Sequence, residues 1–147
     1  MFTLKPFESS VYTQKGANVK KKNKYSICVI GGDGIGPEVT AASCNLLENT
    51  GLKFTFIQKE AGYGSYKKTG FSLPEGTIEV AKTADAILFG AVTTPPNIDG
   101  YKSAIIALRK KLNLFANVRP ICPLPLAGER TDIDFVIVRE NTEDLYI

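Results

Sequence analysis

The sequence predicts an α/β fold with a largely parallel sheet. Short apolar runs of strand length alternate with segments that show helical spacing, and glycine or proline separates most of them. The chain of 147 residues is 44% hydrophobic and 22% charged, which is the balance of a globular domain with a real core. Together these observations favour strands joined by crossover helices.

The first predicted unit is a strand, a glycine turn and a helix. Residues 26–30 form a nearly continuous apolar run, and a cluster of glycines follows them. Pro37 suits the first position of a helix, because its missing N–H would have no partner there. We expect this helix to run through Leu46 and Leu47 and to end at Gly51.

The later elements follow the same alternation. A helix is expected to begin at Pro74 and to run through Ile78 and Ala81, and a second helix spans 104–112. The remaining predicted strands lie at 52–58, 86–90, 115–119 and 133–139. Pro123, Pro125 and Gly128 mark a loop before the last strand.

Residues 1–24 form a separate zone with lysines at its end. Lys20, Lys21, Lys22 and Lys24 could belong to a targeting segment, but the stretch lacks arginine and a secretory apolar region. An extension without fixed structure is the alternative that we prefer.

Composition excludes several classes of function. A net charge of +3 is too small to indicate nucleic-acid binding, and no apolar run approaches the roughly 18 residues of a membrane span. Three cysteines without CxxC spacing, and no histidine, argue against zinc, so we assign no metal ligand. Unpaired thiols favour a reducing compartment, the cytoplasm or the mitochondrial matrix.

The glycine cluster at 31–36 resembles a dinucleotide-binding loop but fails its spacing. A GxGxxG fingerprint starting at Gly32 or Gly34 would need glycine at Pro37 or Val39. Starting at Gly31 places Asp33 in the second glycine position. Two interpretations stay open: a tight turn without function, or a helix start whose N–H groups meet a ligand.

Three arginines suggest a carboxylate site. Arg109, Arg119 and Arg139 fall in three successive predicted elements, and guanidinium groups grip carboxylates in bidentate fashion. The alternative is that each is a surface charge or an ion-pair partner. Helical spacing places Arg109 at the edge of an apolar stripe and turns Lys110 away. Ser103 stands where an N-cap is expected and could serve only as a cap.

Three strings in this order resemble the isocitrate/isopropylmalate dehydrogenase family. They are GDGIGPEV at 32–39, LRKKLNLFANVRP at 108–120 and VRENTEDLY at 138–146. The resemblance implies a two-domain fold like that of isopropylmalate dehydrogenase, which is not a Rossmann fold. It places the first half of the large domain at 25–115 and the start of a smaller substrate and dimerisation domain at 116–147, with the rest of the family fold beyond this chain.

The resemblance also implies a reaction. Such enzymes oxidise a 2-hydroxy acid with a β-carboxylate, pass hydride to NAD or NADP, and release CO2. Asn141 is similar to the isocitrate and homoisocitrate branches, and Ile105 looks more like homoisocitrate dehydrogenases. We therefore rank homoisocitrate first, isocitrate second and isopropylmalate third. A short non-catalytic protein that retains only carboxylate binding is the competing hypothesis.

The family resemblance implies roles for individual residues. Ser103, Arg109, Arg119 and Arg139 would hold the substrate, and Tyr146 would contact it and protonate the enolate carbon. The cofactor contacts implied are Ile35, Thr93 and Asn141. The ligands of Mg²⁺ or Mn²⁺ and a catalytic lysine would lie beyond residue 147, some supplied by a second subunit of a homodimer or higher oligomer. We therefore expect the chain alone to be inactive.

Overall fold

A computed structural model describes residues 22–123 and 132–143. Their secondary-structure elements, in chain order, are β1 (Tyr25–Gly32), α1 (Gly36–Glu48), β2 (Phe54–Lys59), α2 (Tyr63–Thr69), α3 (Glu75–Thr83), β3 (Ala86–Ala91), α4 (Ala104–Lys111), β4 (Ala116–Ile121) and β5 (Phe135–Glu140). The alternation of strands and helices confirms the predicted α/β class.

The first three strands form one parallel sheet in the order β2-β1-β3. The chain crosses from β1 to β2 through α1, and then returns over β1 to β3 through α2 and α3. Because such crossovers are right-handed, the two connections lie on opposite faces of the sheet. The predicted parallel sheet is therefore present, with β1 at its centre.

The last two strands form a separate antiparallel pair, which we call the β4–β5 ribbon. Strands 115–119 and 133–139 were expected near these positions, but their pairing was not. Both faces of the ribbon carry exposed apolar side chains, for example Val138 at 66% exposure on one face and Ile137 at 46% on the other. The predicted division into domains at residue 115 stays a prediction.

The core lies on the face of the sheet that α3 and α4 cover. Cys28 and Ile30 of β1, which alternate onto one face, are fully buried against Ala81 of α3 and against Ala104 and Leu108 of α4. The apolar positions predicted on α4 thus form its buried side. Cys28 is part of this core, and burial raises the pKa of its thiol.

The end of one helix was predicted wrongly, and another helix was missed. The helix expected to reach Gly51 ends at Glu48, because the N–H groups of Asn49 and Thr50 turn back to Leu46 and Leu47. The short helix α2 was not predicted at all. Its seven residues include a glycine, and they show no apolar spacing long enough to signal a helix.

The predicted extension and loop fall largely outside the described residues. Positions 1–21 and 124–131 lie outside the described residues. None of the helices in the described part of the chain is long and apolar enough to cross a membrane.

Candidate functional site

Two of the residues predicted to contact a cofactor lie where the strand order changes direction. Ile35 follows β1 and Thr93 follows β3, and these neighbouring strands lead to helices on opposite faces of the sheet. Open α/β sheets bind ligands in the crevice beyond the carboxyl ends of such strands. Ile35 is 68% exposed, so an apolar side chain stands uncovered at this crevice.

The glycines of the first loop are needed because backbone segments meet there without room for side chains. A Cβ on Gly32 would lie 2.0 Å from the carbonyl oxygen of Ala91, and Gly32 has a positive φ of 79°. A Cβ on Gly36 would lie 2.0 Å from the carbonyl oxygen of Gly31. The tight-turn interpretation of the loop therefore has a physical basis.

Asp33 binds backbone rather than solvent at this crevice. Its carboxylate accepts N–H groups from Tyr63 at 2.8 Å, Gly64 at 2.7 Å and Thr93 at 2.8 Å. Burial raises the pKa of the Asp33 carboxyl, but these three hydrogen bonds outweigh burial and the net pKa is lowered. The carboxylate is therefore ionised at neutral pH and joins three separate segments.

Helix α4 carries two predicted substrate residues. Ser103 occupies the N-cap position, but its hydroxyl makes no cap hydrogen bond and instead lies 3.5 Å from the hydroxyl of Thr94. Arg109 is half-buried and Lys110 is exposed, as helical spacing predicted. Ser103 therefore does not act as a side-chain cap, and its hydroxyl lies beside the loop that carries Thr93.

The other two arginines share one face of the β4–β5 ribbon. Asn117 lies opposite Arg139 in the antiparallel register, and Arg119 is two residues further along the same strand. The Nε of Arg119 donates a hydrogen bond to Oδ1 of Asn117 at 3.0 Å. Side chains of paired residues point to the same side, so Arg119 and Arg139 project together with Asn117 between them.

A cavity of 230 Å³ joins this ribbon to α4. Its polar lining comes from Arg109, Asn117 and Asn141. Ile105 lines the same cavity one helical turn before Arg109. Arg119 and Arg139 do not line this cavity, and Asn117 is the residue that connects it to the ribbon face that carries them. In the described part of the chain, neither Arg109 nor Arg119 forms an ion pair.

The segment before the predicted proton donor is held by a compact turn. Glu140 accepts the N–H groups of Thr142 at 2.8 Å and Glu143 at 2.7 Å, and the N–H of Asn141 donates to the carbonyl of Phe115 at 2.8 Å. A hydrogen bond from the Thr142 side chain leads the interactions that lower the pKa of Glu140. Tyr146 itself lies outside the described residues.

A larger cleft lies elsewhere. It has a volume of 680 Å³ and opens between α1 and α2 at the ends of β1 and β2. Lys59, Glu60 and Lys68 are among its lining residues, and Lys68 pairs with Glu60 at 2.8 Å. None of the residues predicted from the sequence to bind substrate or cofactor lines it.

The described residues do not provide a site for a divalent cation. Across 22–123 and 132–143, no three carboxylate, cysteine or histidine side chains are grouped closely enough to hold a metal. Asp33, the carboxylate nearest the cofactor candidates, uses its oxygens on three backbone N–H groups. The residues present therefore do not fit the metal that the family resemblance implies.

Sequence reasoning missed Asn117 as a site residue. Its signal was available, because a position two residues before Arg119 on a strand must share the face of that arginine. Its pairing with Arg139 could not be read from the sequence, since no local feature sets the register of the ribbon.

The chain is thus an α/β protein with a crevice at a switch point of its parallel sheet and a cavity, lined by Arg109, between α4 and the β4–β5 ribbon. The sequence profile of the isocitrate/isopropylmalate dehydrogenase family matches residues 26–147. The chain therefore belongs to the isocitrate/isopropylmalate dehydrogenase family, which confirms the resemblance seen in its sequence motifs.

Individual relatives carry different substrate names. The chain is 48% identical over 124 residues to an isocitrate/homoisocitrate dehydrogenase of Thermus thermophilus, covering 84% of this chain and 37% of that protein. It is 50% identical over 123 residues to a 3-isopropylmalate/3-methylmalate dehydrogenase of Methanocaldococcus jannaschii, covering 83% and 35%. Similar identities to both classes do not separate the substrates.

A solved structure shares the fold. The isocitrate dehydrogenase of Methylococcus capsulatus superposes with a TM-score of 0.74 at 38% identity, covering 83% of this chain and 36% of that chain. This likeness agrees with the predicted fold class. The chain spans only about a third of the length of these relatives.

Proposed function

We propose that this chain carries the substrate clamp and part of the cofactor site of an NAD-dependent decarboxylating dehydrogenase. The substrate would be a 2-hydroxy acid with a β-carboxylate. The observation that carries the proposal is the cavity between α4 and the β4–β5 ribbon, which Arg109 and Asn117 both line, with Asn117 on the ribbon face that carries the other two arginines.

The arginines suit a substrate with two or three carboxylates. Arg109 is half-buried and has no acidic partner in the described part of the chain, so its guanidinium is available to a carboxylate. Arg119 and Arg139 project from one face of a strand pair, a spacing that allows both to hold one ligand. Ser103 would donate a hydroxyl to the distal part of the substrate.

The cofactor would bind at the crevice beyond β1 and β3. Ile35 offers an exposed apolar surface after β1, and Thr93 follows the neighbouring strand β3. Thr94 and Ser103 approach each other on the same side, so the cofactor and substrate would lie next to each other. Asn141, which lines the arginine cavity, is proposed as a further cofactor contact. NAD is the cofactor that we propose, and NADP is the alternative.

The proposed chemistry has two parts. When bound, the nicotinamide cofactor would supply the acceptor for hydride from C2 of the hydroxy acid, and a base would take the hydroxyl proton, which would yield a β-keto acid. The bond to the β-carboxylate then breaks, CO2 departs, and the electron pair forms an enolate. Tyr146 would return a proton to the carbon. The clamp contributes by holding C2 at the nicotinamide throughout.

The described residues contain no cluster of three potential ligands for a divalent cation. Family members use Mg²⁺ or Mn²⁺ as a Lewis acid, and its ligands would come from further sequence or from a second subunit. For this reason we expect the 147-residue chain alone to be inactive.

Substrate length is the finer proposal. Ile105 presents an apolar side chain to the cavity that Arg109 lines, which favours a substrate with an added methylene over one that needs a hydrogen bond there. We therefore rank homoisocitrate before isocitrate. Isopropylmalate is the alternative, supported by the 50% identity to the Methanocaldococcus jannaschii enzyme.

The exposed ribbon supports an oligomer in the complete protein. Val118 and Val138 lie on one face, whereas Phe135 and Ile137 lie on the other, and all four are exposed. Apolar side chains on both faces of a two-stranded ribbon would normally be covered by protein. A homodimer, with the ribbon near its interface, is our proposal, and analytical ultracentrifugation measures it.

Steady-state kinetics test the function. The protein expressed from the complete reading frame that contains this chain would be assayed with NAD, Mg²⁺ and each of homoisocitrate, isocitrate and 3-isopropylmalate, with NADH and CO2 both measured. We expect equimolar NADH and CO2 and the highest kcat/KM for homoisocitrate. Equal or better turnover of 3-isopropylmalate would reverse the ranking. Carboxylate binding without NADH would instead favour the non-catalytic alternative.

A further inference from the structure

We propose that Asp33 and Tyr101 are positioning residues that hold the backbone of Thr93 in place for the cofactor. This inference rests on the proposed function, because it takes Thr93 to be a cofactor contact. Neither residue would touch the substrate. Their effect would be to fix the orientation of the two peptide units that flank the Cα of Thr93, at the crevice between β1 and β3.

Asp33 holds Thr93 through the backbone N–H of that residue. The N–H of Thr93 donates to Oδ2 of Asp33 at 2.8 Å, and the N–H of Asp33 donates to the carbonyl of Ala91 in the same segment. The loops after β1 and β3 are thus linked twice. Hydrogen bonds to an ionised carboxylate are shorter and stronger than neutral ones.

The same carboxylate also organises α2. Tyr63 and Gly64, the first two residues of that helix, donate their N–H groups to the two oxygens of Asp33. The first N–H groups of a helix have no partner within it, so Asp33 caps α2 from 30 residues away. One side chain therefore joins the loop after β1, the loop after β3 and the start of α2.

The space that receives the carboxylate is made by glycines. A Cβ on Gly62 would lie 2.3 Å from Oδ2 of Asp33, and a Cβ on Gly64 would lie 3.0 Å from Oδ1. Gly62 also has a φ of 104°, which other residues rarely adopt. Any other residue at Gly62 would displace the carboxylate, so the sequence around α2 is fitted to it.

Tyr101 holds the next peptide unit, on the carbonyl side of Thr93. Its hydroxyl donates to the carbonyl oxygen of Thr93 at 3.1 Å, so both backbone groups of Thr93 have side-chain partners. Its ring packs edge-on against Tyr66, with centroids 5.1 Å apart, and against Tyr63 at 6.0 Å. This packing sets the position of the hydroxyl.

Asp33 and Tyr101 lie next to the proposed substrate residues. Tyr101 comes two residues before Ser103, and the hydroxyls of Thr94 and Ser103 are 3.5 Å apart. The loop between β3 and α4 therefore carries the proposed cofactor contact at one end and a proposed substrate contact at the other. We expect loss of the hydrogen bonds from Asp33 and Tyr101 to weaken cofactor binding more than substrate binding, because Thr93 is the residue that they hold directly.

The control comes from a second carboxylate, which accepts a backbone N–H at the opposite end of the strands. Asp85 accepts the N–H of Ser26 at 2.9 Å and its hydroxyl at 3.1 Å, just before β3 begins. Asp85→Asn weakens a comparable set of hydrogen bonds far from Thr93. It therefore reports what lowered stability alone does to the kinetics.

The experiment compares the protein of the complete reading frame with its Asp33→Asn, Tyr101→Phe and Asp85→Asn variants. KM values for NAD and for the hydroxy acid are measured, together with hydrogen–deuterium exchange of the peptide that contains Thr93. For Asp33→Asn we expect the KM for NAD to rise by at least about 10-fold, with less than a threefold change in the KM for the hydroxy acid.

Tyr101→Phe should raise the KM for NAD about threefold. Both Asp33→Asn and Tyr101→Phe should speed hydrogen–deuterium exchange at Thr93. Asp85→Asn should change neither readout. An active enzyme whose KM for NAD is unchanged in Asp33→Asn overturns the inference and leaves the proposed function intact. A wild-type protein without NAD-dependent oxidation overturns the proposed function before any variant is compared.

Discussion

The same substitution at two helix starts should change stability in opposite directions. Gly36 begins α1 and Gly76 lies in the first turn of α3, so both replacements put alanine into a similar helical position. Alanine generally stabilises a helix relative to glycine by about 0.5–1 kcal/mol. The surroundings of the two glycines decide whether that gain is realised.

At Gly36 the added methyl group has no room. Its Cβ would lie 2.0 Å from the carbonyl oxygen of Gly31 and 2.8 Å from the amide nitrogen of Ala91. Ordinary contact begins at 3.4 Å, so backbone atoms would have to move apart by about 1.4 Å in the turn that sets the ligand crevice. We expect Gly36→Ala to lower the free energy of unfolding by at least about 3 kcal/mol.

At Gly76 the added methyl group meets nothing within 4 Å. Gly76→Ala should therefore raise the free energy of unfolding by about 0.5–1 kcal/mol. Urea denaturation followed by far-ultraviolet circular dichroism measures both variants against the wild type. A neutral or stabilising Gly36→Ala would contradict the inference that the loops after β1 and β3 leave no room for a side chain. A loss of stability in Gly76→Ala would contradict the helical-propensity part of the reasoning.

Two further predictions concern the core and acid stability. Leu108 is 2% exposed, so Leu108→Ala should cost about 3 kcal/mol in urea denaturation, whereas Ile106→Ala on the exposed side of α4 should cost less than about 1 kcal/mol. Equal losses would contradict the burial of α4. A hydrogen bond from Lys22 leads the causes that lower the pKa of Asp85 from 3.8 to about 2. A lowered pKa in the folded state stabilises it above the unfolded pKa, so the advantage of the wild type over Asp85→Asn should be complete above pH 3.8 and disappear as the pH falls to about 2. An advantage independent of pH in that window would exclude this role.

The sequence predicted the regular elements well because each carried its own local signal. The strand at β1 is a continuous apolar run, and α4 has buried residues at helical spacing. Helix α2 escaped prediction because Asp33, distant in the chain, caps its start. Local spacing cannot reveal a cap that depends on the folded sheet.

The site was predictable as a set of residue types but not as an arrangement. Helical spacing correctly turned Arg109 towards the apolar side of α4 and Lys110 away from it. The common face of Arg119 and Arg139 depends on pairing across the ribbon, and a shift of one residue would put them on opposite faces. Their roles as substrate contacts stay predictions.

The carboxylate clamp is tested most directly by neutralising one arginine and its neighbour on the same helix. In the protein of the complete reading frame, kcat/KM for homoisocitrate would be measured for Arg109→Gln and for Lys110→Gln. Arg109 lines the cavity, whereas Lys110 is exposed. We expect Arg109→Gln to lower kcat/KM by about 10- to 100-fold and Lys110→Gln to change it less than about twofold. Equal effects of the two substitutions would contradict the clamp.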